Sequence, residues 1–202
     1  FNTIIGDGAG NEITSGDNNT VIGYNSGTEL KAGGNNVGLG GWSLSQISTQ
    51  ASNTAIGYLS QKDATGSGNT SLGYDALEDV TGNYNIGIGY TAGKNITTGS
   101  GNVIIGDVDA AAADSARTLK IAGNDGSTLT TWISGDSSGN VTVAGTLTSD
   151  TGLVKTVGKE SIWIPSNAMT PATTNGAERA SVETTATRPD MQVLDFDKDA
   201  DE

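Results

Sequence analysis

The chain has 202 residues and a formal net charge of −13, with 30 glycines, three prolines, 16 % charged residues and neither cysteine nor histidine. These totals exclude disulfide frameworks and thiolate metal sites, remove the commonest general base and zinc ligand, and make nucleic acid or an anionic membrane surface a poor partner. Plentiful glycine with little charge and little proline indicates short strands joined by tight turns, not disorder.

Membrane insertion is not expected from the sequence. No apolar run approaches the ~18 residues that a membrane-spanning helix needs, and no signal peptide opens the chain. The first residue is Phe1, which directly precedes a repeat. We interpret the chain as a fragment of a longer protein.

From residue 2 to residue 106 the pattern Asn-x-x-(Ile/Leu)-Gly occurs seven times, with steps of 17, 17, 17, 16, 16 and 17 residues. The repeat asparagines are Asn2, Asn19, Asn36, Asn53, Asn69, Asn85 and Asn102. The repeat glycines are Gly6, Gly23, Gly40, Gly57, Gly73, Gly89 and Gly106. So regular a step predicts an all-β solenoid, in which each repeat is one coil of two short strands and two turns.

The position before the glycine is always a large aliphatic residue. Its members are Ile5, Ile22, Leu39, Ile56, Leu72, Ile88 and Ile105. The residue two places earlier is always β-branched, and period two puts both columns on one strand face, so we predict that they form the core. The column between them varies from glycine to isoleucine, which predicts that side-chain size is less restricted at this position. We interpret the asparagines and glycines as turn residues, the asparagines also as a stacked ladder.

Small residues recur three places after each glycine from Ala9 to Ala92, which indicates a tight contact with a neighbouring coil or chain. A second apolar site lies between successive motifs. One coil alone buries too few aliphatic side chains to offset the entropy of ordering 16 or 17 residues. We therefore expect several chains to associate along the rod, with the small column facing inward.

Aromatic residues form a separate pattern. Tyr24, Tyr58, Tyr74 and Tyr90 directly follow a repeat glycine, and Trp42 lies one residue further along in its own repeat. Two hypotheses remain open for these five residues: contact with a glycan of a host surface, and packing along the rod. Trp132 and Trp163 stand in strand-like stretches and are predicted to be core.

The repeats resemble a known family. "NNTVIGYNSG", "NTAIGYLSQ" and "NTSLGYDAL" are similar to the head repeats of trimeric autotransporter adhesins. The tyrosine after the glycine and the linker "TGSGNT" resemble bacteriophage tail-fibre proteins still more. The resemblance implies a left-handed parallel β-roll in which three identical chains pack tightly.

The resemblance also implies a division of the chain. Residues 1–107 are then the β-roll repeat rod, 108–159 a linker and β-rich shaft, and 160–202 the start of a C-terminal β domain. Residues 118–150 alternate polar and β-branched residues between glycine-rich turns, as such a shaft does. Residues 160–202 resemble the opening of a β-sandwich and break off before its further strands, so we expect the end to be truncated.

The function implied is that of a structural virion protein. The expected partners are two identical chains, other virion tail proteins and a host surface receptor or glycan. The protein would lie in the phage tail and serve reach and host-cell attachment, with no catalytic role and no cofactor. Two alternatives stay open: the head of a bacterial trimeric surface adhesin, located at the cell surface, and the non-catalytic part of a polysaccharide-degrading tailspike.

Three weaker sequence signals have a plain explanation as turns or surface residues. "GLGG" and "GIGYTAG" partly match glycine-rich nucleotide-binding motifs but fall within the repeat register. "GDGAGNE" and "GDNN" suggest calcium, yet the repeat is not the nine-residue repeat of calcium-binding β-rolls. Glu78 and Asp79 are adjacent acids of the kind that glycan hydrolysis uses, without a sign of a cleft around them. We predict no metal site and no active site.

Overall fold

The computed structural model describes residues 1–145 and the backbone of three short strands at 163–165, 181–183 and 191–195. The chain divides into two compact units, Phe1–Leu147 and Thr148–Glu202. The first unit contains one ten-stranded sheet with the strands in sequence order. Its strands are β1 (Thr3–Ile5), β2 (Thr20–Ile22), β3 (Val37–Leu39), β4 (Thr54–Ile56), β5 (Thr70–Leu72), β6 (Ile86–Ile88), β7 (Val103–Ile105), β8 (Leu119–Asn124), β9 (Leu129–Gly135) and β10 (Val141–Val143).

Strands β1 to β7 are the seven motifs, and each pairs in parallel with the next in the same register. Thr20 pairs with Val37 and Ile22 with Leu39, so equivalent motif positions stack coil upon coil. No α-helix occurs among the described residues. The prediction of an all-β parallel solenoid with one repeat per coil is confirmed.

The repeat length varies without disturbing this register. The second apolar residue always stands seven places after the repeat glycine, as Ile47 does after Gly40 and Ala64 after Gly57. Asn53 follows Ile47 by six places, whereas Asn69 follows Ala64 by five. The missing residue of the 16-residue coils therefore falls in the turn that leads into the next asparagine, outside the strands.

The second strand predicted for each coil is absent from the described coils. That side of each coil consists of turns and bends, although backbone bonds still join the coils there, such as Lys31 N–H to the Ser48 carbonyl at 2.9 Å. The second apolar site is nevertheless interior: Leu30, Ile47 and Val80 are fully buried. Burial is thus predictable from this column, but strand pairing is not.

The strand face that lines the core is the opposite of the one predicted. The middle residue of each strand points inward, and Val21, Ala55, Ser71 and Ile104 are fully buried. The predicted core column lies on the outer face, half-buried or exposed. It comprises Ile5, Ile22, Leu39, Ile56, Leu72, Ile88 and Ile105, and the β-branched residues two places earlier share its face.

The reason for this orientation is the narrow interior of the coil. Four residues after each repeat glycine a second column points inward, and in several coils its size complements the middle strand residue. Gly38 faces Leu44, whose methyl carbon would lie 3.3 Å from an added Cβ. Conversely, Val21 packs on Gly27, where an added Cβ would lie 2.7 Å from a valine methyl. The size of the middle residue varies because it shares a fixed interior volume with the second inward column. It does not vary because side-chain size is unrestricted there.

The small column is interior as well. Ser26, Ser43, Ser60, Ala76 and Ala92 are fully buried within the coils. The hydroxyl groups of Ser26 and Ser43 lie 2.8 Å apart on adjacent coils. The close contact predicted for this column is therefore made between neighbouring coils of one chain. The prediction that it faces inward between chains is wrong.

An antiparallel extension follows the last coil. Strand β8 pairs in parallel with β7 and then antiparallel with β9, which in turn pairs with β10. Ala122 of β8 is buried next to the last coil. Trp132 of β9 lies over Gly123, but 52 % of it is exposed. The prediction that Trp132 is core is wrong, because about half of its side chain is open to solvent while the rest covers Gly123.

In the second unit, β11 (Trp163–Pro165), β12 (Ser181–Glu183) and β13 (Met191–Asp195) form an antiparallel sheet in the order β11, β13, β12. The predicted β-sandwich and the burial of Trp163 lie outside the described residues. Among the residues that the structure describes, no helix has the length and apolar character that crossing a membrane requires.

Candidate functional site

Three features of the rod stand out as candidates for function: an asparagine ladder inside it, the outer face of its strands, and a row of aromatic rings. The ladder is built from the seven repeat asparagines. From Asn19 to Asn102 each is essentially fully buried. The predicted ladder is therefore real, although it is internal and joins coils of a single chain.

Each asparagine side chain both donates and accepts a hydrogen bond. The Asn36 amide nitrogen donates to the Gln50 carbonyl at 3.0 Å, and its side-chain oxygen accepts the backbone N–H of Asn53 at 2.9 Å. The left-handed turn conformation belongs to the preceding residue, Asn35 with φ of 59°. After Asn102 the ladder ends on Thr118, whose N–H and hydroxyl both donate to the Asn102 side chain.

The repeat glycine is needed at the corner between strand and turn. Gly23 has φ of +133°, and an added Cβ would lie 2.6 Å from the backbone carbonyl of Gly40 in the next coil. The same stacking recurs along the column, so both the conformation and the close approach require glycine. The predicted turn role of the seven glycines is confirmed by their positive φ values.

The outer strand face is the most extensive apolar feature of the rod. Seven strands present two columns of side chains, all isoleucine, leucine, valine or threonine, at the spacing of adjacent strands. The exposed fraction is 58 % for Ile5, 47 % for Leu72 and 37 % for Ile88. Single exposed aliphatic residues are ordinary on a protein surface, but a continuous face of them marks an interaction surface.

The aromatic residues form a ladder along one side of the rod. The rings of Tyr58 and Tyr74 have centroids 5.8 Å apart and lie 18° from parallel, and those of Tyr74 and Tyr90 are 5.2 Å apart at 13°. Gly41 interrupts the tyrosine column. There Trp42 packs edge-on against Tyr24 at 5.6 Å. The rings thus pack on one another from coil to coil, while their outer edges stay exposed.

Of the two acids that suggested hydrolysis, Glu78 and Asp79, the first belongs to an ion-pair network and the second lies beside it. Asp63, Glu78 and Asp79 have carboxylate oxygens within 4.8 Å of one another. Lys62 pairs with Asp63 at 3.1 Å, and Lys94 pairs with Glu78 at 2.9 Å and also with Asp75. Hydrogen bonds to Asp75 and then Glu78 raise the pKa of Lys94 above its ordinary value. These two lysines partly offset the negative charge of the cluster.

A shallow depression of about 230 Å³ lies where the last coils meet the hairpin. Asp107 in its lining accepts hydrogen bonds from the Thr91 hydroxyl at 2.6 Å and the Asn124 amide at 2.8 Å. Glu78 and Asp79 do not line it. The glycine-rich "GLGG" and "GIGYTAG" stretches are strand ends and turns of the coils, in agreement with the plain interpretation.

No protein-family model, curated protein or solved structure matches this chain. The features of this chain that point to a function are the geometry of its rod and the resemblance of its repeats. Sequence reasoning found the asparagines, the glycines and the aromatic column. It missed the outer strand face, because it placed those aliphatic residues inside. The size complementarity between Gly38 and Leu44, and between Val21 and Gly27, is the signal that identifies the inner face.

Proposed function

We propose that this chain is a structural fibre protein of a phage tail and that its rod is formed by three copies of the solenoid. The observation that carries the proposal is the outer strand face. It is continuous over seven strands, aliphatic or β-branched at nearly every position, and carries no charged residue. Water contact with such a face is unfavourable, and a second apolar surface laid against it removes that cost.

Three copies suit this face because a three-fold ring closes on itself. Each rod turns its outer strands toward the common axis, and the interfaces repeat around it without leaving an open end. The two outer columns then interdigitate between chains as the core of the fibre. The trimer and the left-handed roll follow from the resemblance to adhesin heads and phage tail fibres, and the described residues of a single chain are compatible with both.

The role proposed for such a fibre is to extend from the virion and to attach it to a host surface. A rod of seven coils at about 4.8 Å per strand is roughly 34 Å long, so it extends a binding region away from the virion. The aromatic ladder is the proposed glycan contact. Stacking occupies both ring faces of Tyr74 and one face each of Tyr58 and Tyr90, so contact would be made mainly through the exposed edges of the tyrosines and through Trp42. The net charge of −13 favours neutral or cationic glycans over acidic ones.

The first test is the solution mass of the full chain by light scattering. We expect three times the monomer mass of 20.4 kDa. Replacing two outer residues with lysine, Leu72→Lys with Ile88→Lys, should reduce the mass to that of the monomer while circular dichroism keeps the β signal. A Tyr84→Lys control places the charge at a site that is 74 % exposed and outside the strands, and should stay trimeric. A monomeric wild-type chain would overturn the trimer.

Further tests separate the phage fibre from its alternatives. Gold-labelled antibody against the chain should mark the tails of purified virions. Labelling of bacterial cell surfaces instead would favour the adhesin. Release of reducing sugar when the whole protein meets host polysaccharide would favour the tailspike.

A further inference from the structure

The tyrosine part of the aromatic ladder has a geometry that suits a chemical reaction. Tyr58, Tyr74 and Tyr90 stand on three successive coils with their rings nearly parallel and their centroids 5.2–5.8 Å apart. They are between 41 % and 59 % exposed, so a small solute can reach each ring. Packing from coil to coil holds the three phenols as neighbours for as long as the rod is folded.

We propose that this ladder is an oxidative cross-linking site, at which a one-electron oxidant joins neighbouring coils through a dityrosine bond. The strongest candidate pair is Tyr74 with Tyr90, which has the shorter centroid distance and the smaller angle between ring planes. Tyr58 with Tyr74 is the second pair. The proposal concerns one folded chain and does not depend on the trimer.

The reaction balances as follows. Each of two tyrosines loses one electron and its phenolic proton, so two equivalents of a one-electron oxidant are reduced. The two phenoxyl radicals, whose unpaired spin reaches the ring carbons next to the hydroxyl, form one carbon–carbon bond between those carbons. The hydrogen on each coupled carbon then shifts to its oxygen and restores a phenol. The product has two hydrogens fewer than the original pair.

Position selects the residues that couple. Two radicals in one ladder meet at the high effective concentration of groups held on one scaffold, whereas radicals on separate chains meet only by diffusion. Tyr84 is 74 % exposed and is the most accessible tyrosine to an oxidant, but it is absent from the stacked pairs. The ring next to Tyr24 is Trp42 and not another phenol. Both residues therefore serve as internal comparisons.

The bond would tie two coils covalently. Tyr74 and Tyr90 are 16 residues apart in the chain, and a bond between them closes that segment in the unfolded chain as well as in the folded one. Such a closure reduces the entropy of the unfolded state. We expect the cross-linked rod to unfold at a higher temperature than the unmodified protein.

The test uses the full chain at low micromolar concentration with a photoactivated ruthenium polypyridyl complex as oxidant and persulfate as electron acceptor. Brief illumination should produce dityrosine fluorescence in protein that still migrates at the monomer mass on a denaturing gel. Digestion and mass spectrometry should find the Tyr74 and Tyr90 peptides joined, with the loss of two hydrogens. The yield should not change on dilution, since the reaction is intramolecular.

Conservative variants decide whether the ladder is the cause. Tyr74→Phe keeps a ring in the stack but has no phenol, and it leaves Tyr58 and Tyr90 two coils apart, so the fluorescence should fall at least tenfold. Tyr84→Phe removes the most exposed phenol and should leave the yield unchanged. Tyr90→Phe should move the cross-link to Tyr58 and Tyr74. Dityrosine that persists in Tyr74→Phe, or cross-linked dimers as the main product, would overturn the proposal.

Discussion

At the scale of single residues, the asparagine ladder holds the rod together by satisfying backbone groups that would otherwise be buried without partners. Asn69 illustrates this. Its amide donates to the Gly82 carbonyl at 3.0 Å, and its side-chain oxygen accepts the backbone N–H of Asn85 at 2.8 Å. One side chain thus satisfies both a carbonyl and an N–H group of the turn that leads into the next strand.

Replacing this residue should be costly. Asn69→Ala leaves the Gly82 carbonyl and the Asn85 N–H buried and unpaired, at about 1–3 kcal/mol each. We expect the free energy of unfolding to fall by about 2–6 kcal/mol in chemical denaturation. Asn83→Ala is the control because Asn83 is exposed and its bond to the Ser67 N–H lies at the surface. Equal losses in the two variants would contradict the role of burial.

Gln61 is the residue at which the interior departs from its own pattern. It occupies the inward column filled by Leu44 and Leu77 in the neighbouring coils, and it shares their left-handed backbone conformation. Its amide nitrogen donates to the Ser71 hydroxyl at 2.9 Å and the Thr54 carbonyl at 3.0 Å. Its side-chain oxygen is buried and has no partner among the described residues.

Gln61→Leu should therefore stabilise the rod. The change removes an unpaired buried oxygen and adds apolar burial in a site where leucine already fits in two coils. It also removes the amide donor, but Ser71 keeps the Ser60 hydroxyl as a partner and the Thr54 carbonyl keeps the Ser71 hydroxyl. We therefore expect a net gain of about 1–2 kcal/mol. Denaturant unfolding with an unchanged m value measures it. Gln46→Leu, at an exposed position of the preceding coil, should stay within ~0.5 kcal/mol. A loss of stability in Gln61→Leu would mean that the amide's hydrogen bonds to Ser71 and Thr54 outweigh the unpaired oxygen, or that a buried water satisfies that oxygen.

At the scale of elements, the sequence predicts which segments are strands but not which way they face. The motif asparagine and glycine bound a three-residue strand so closely that β1 to β7 fall where the pattern places them. The direction in which each strand side chain points is not predictable in this way, because all three strand positions accept apolar residues. The inward direction is decided by how two columns share the interior: Gly38 leaves space for Leu44, and Gly27 leaves space for Val21.

The hairpin after the coils carries its own electrostatic element. In the turn between β9 and β10 the Asp136 carboxylate accepts hydrogen bonds from the Asn140 side chain at 2.8 Å and from the backbone N–H groups of Asn140 and Ser138. These bonds, the Asn140 side chain first, hold the pKa of Asp136 below its ordinary value of 3.8. The turn is therefore tied to the charged form of the acid.

The sign of the pH effect follows from the lowered pKa. The contribution of this turn to stability is fully present above pH 3.8 and is lost as the pH falls through the folded-state pKa of Asp136. An NMR titration of the carboxyl carbon should give a midpoint below 3.8. Asn140→Ala removes the side-chain donor and should move the midpoint upward. An unmoved midpoint would contradict the assigned cause.

At the scale of the whole molecule, each coil depends on its neighbours, so the cost of a mutation depends on its place along the rod. Ile4 and Ile104 hold the same motif position in β1 and β7. Ile4 is 43 % exposed, since only one coil covers it, whereas Ile104 is fully buried. In a solenoid the free energy of unfolding is approximately a sum of coil and interface contributions. The same isoleucine therefore contributes less at β1, which has one neighbouring coil, than at β7.

The matched pair gives a direct measurement. Ile104→Ala should lower the free energy of unfolding by about 2–5 kcal/mol, and Ile4→Ala by less than half of that. Hydrogen exchange should show the same order, with the β1 coil exchanging before β3 to β5. Equal costs for Ile4→Ala and Ile104→Ala would show that another coil or chain covers β1 in solution.

The identical register of every coil has a consequence for inheritance. Recombination between two repeats of the gene rejoins equivalent codons, so the protein gains or loses an entire coil and every remaining strand keeps its partner. The rod then changes length in steps of about 4.8 Å. Loss of one codon inside a strand instead exchanges the inner and outer positions of that strand. Descendants of such a gene can therefore differ in rod length by whole coils without a change in fold.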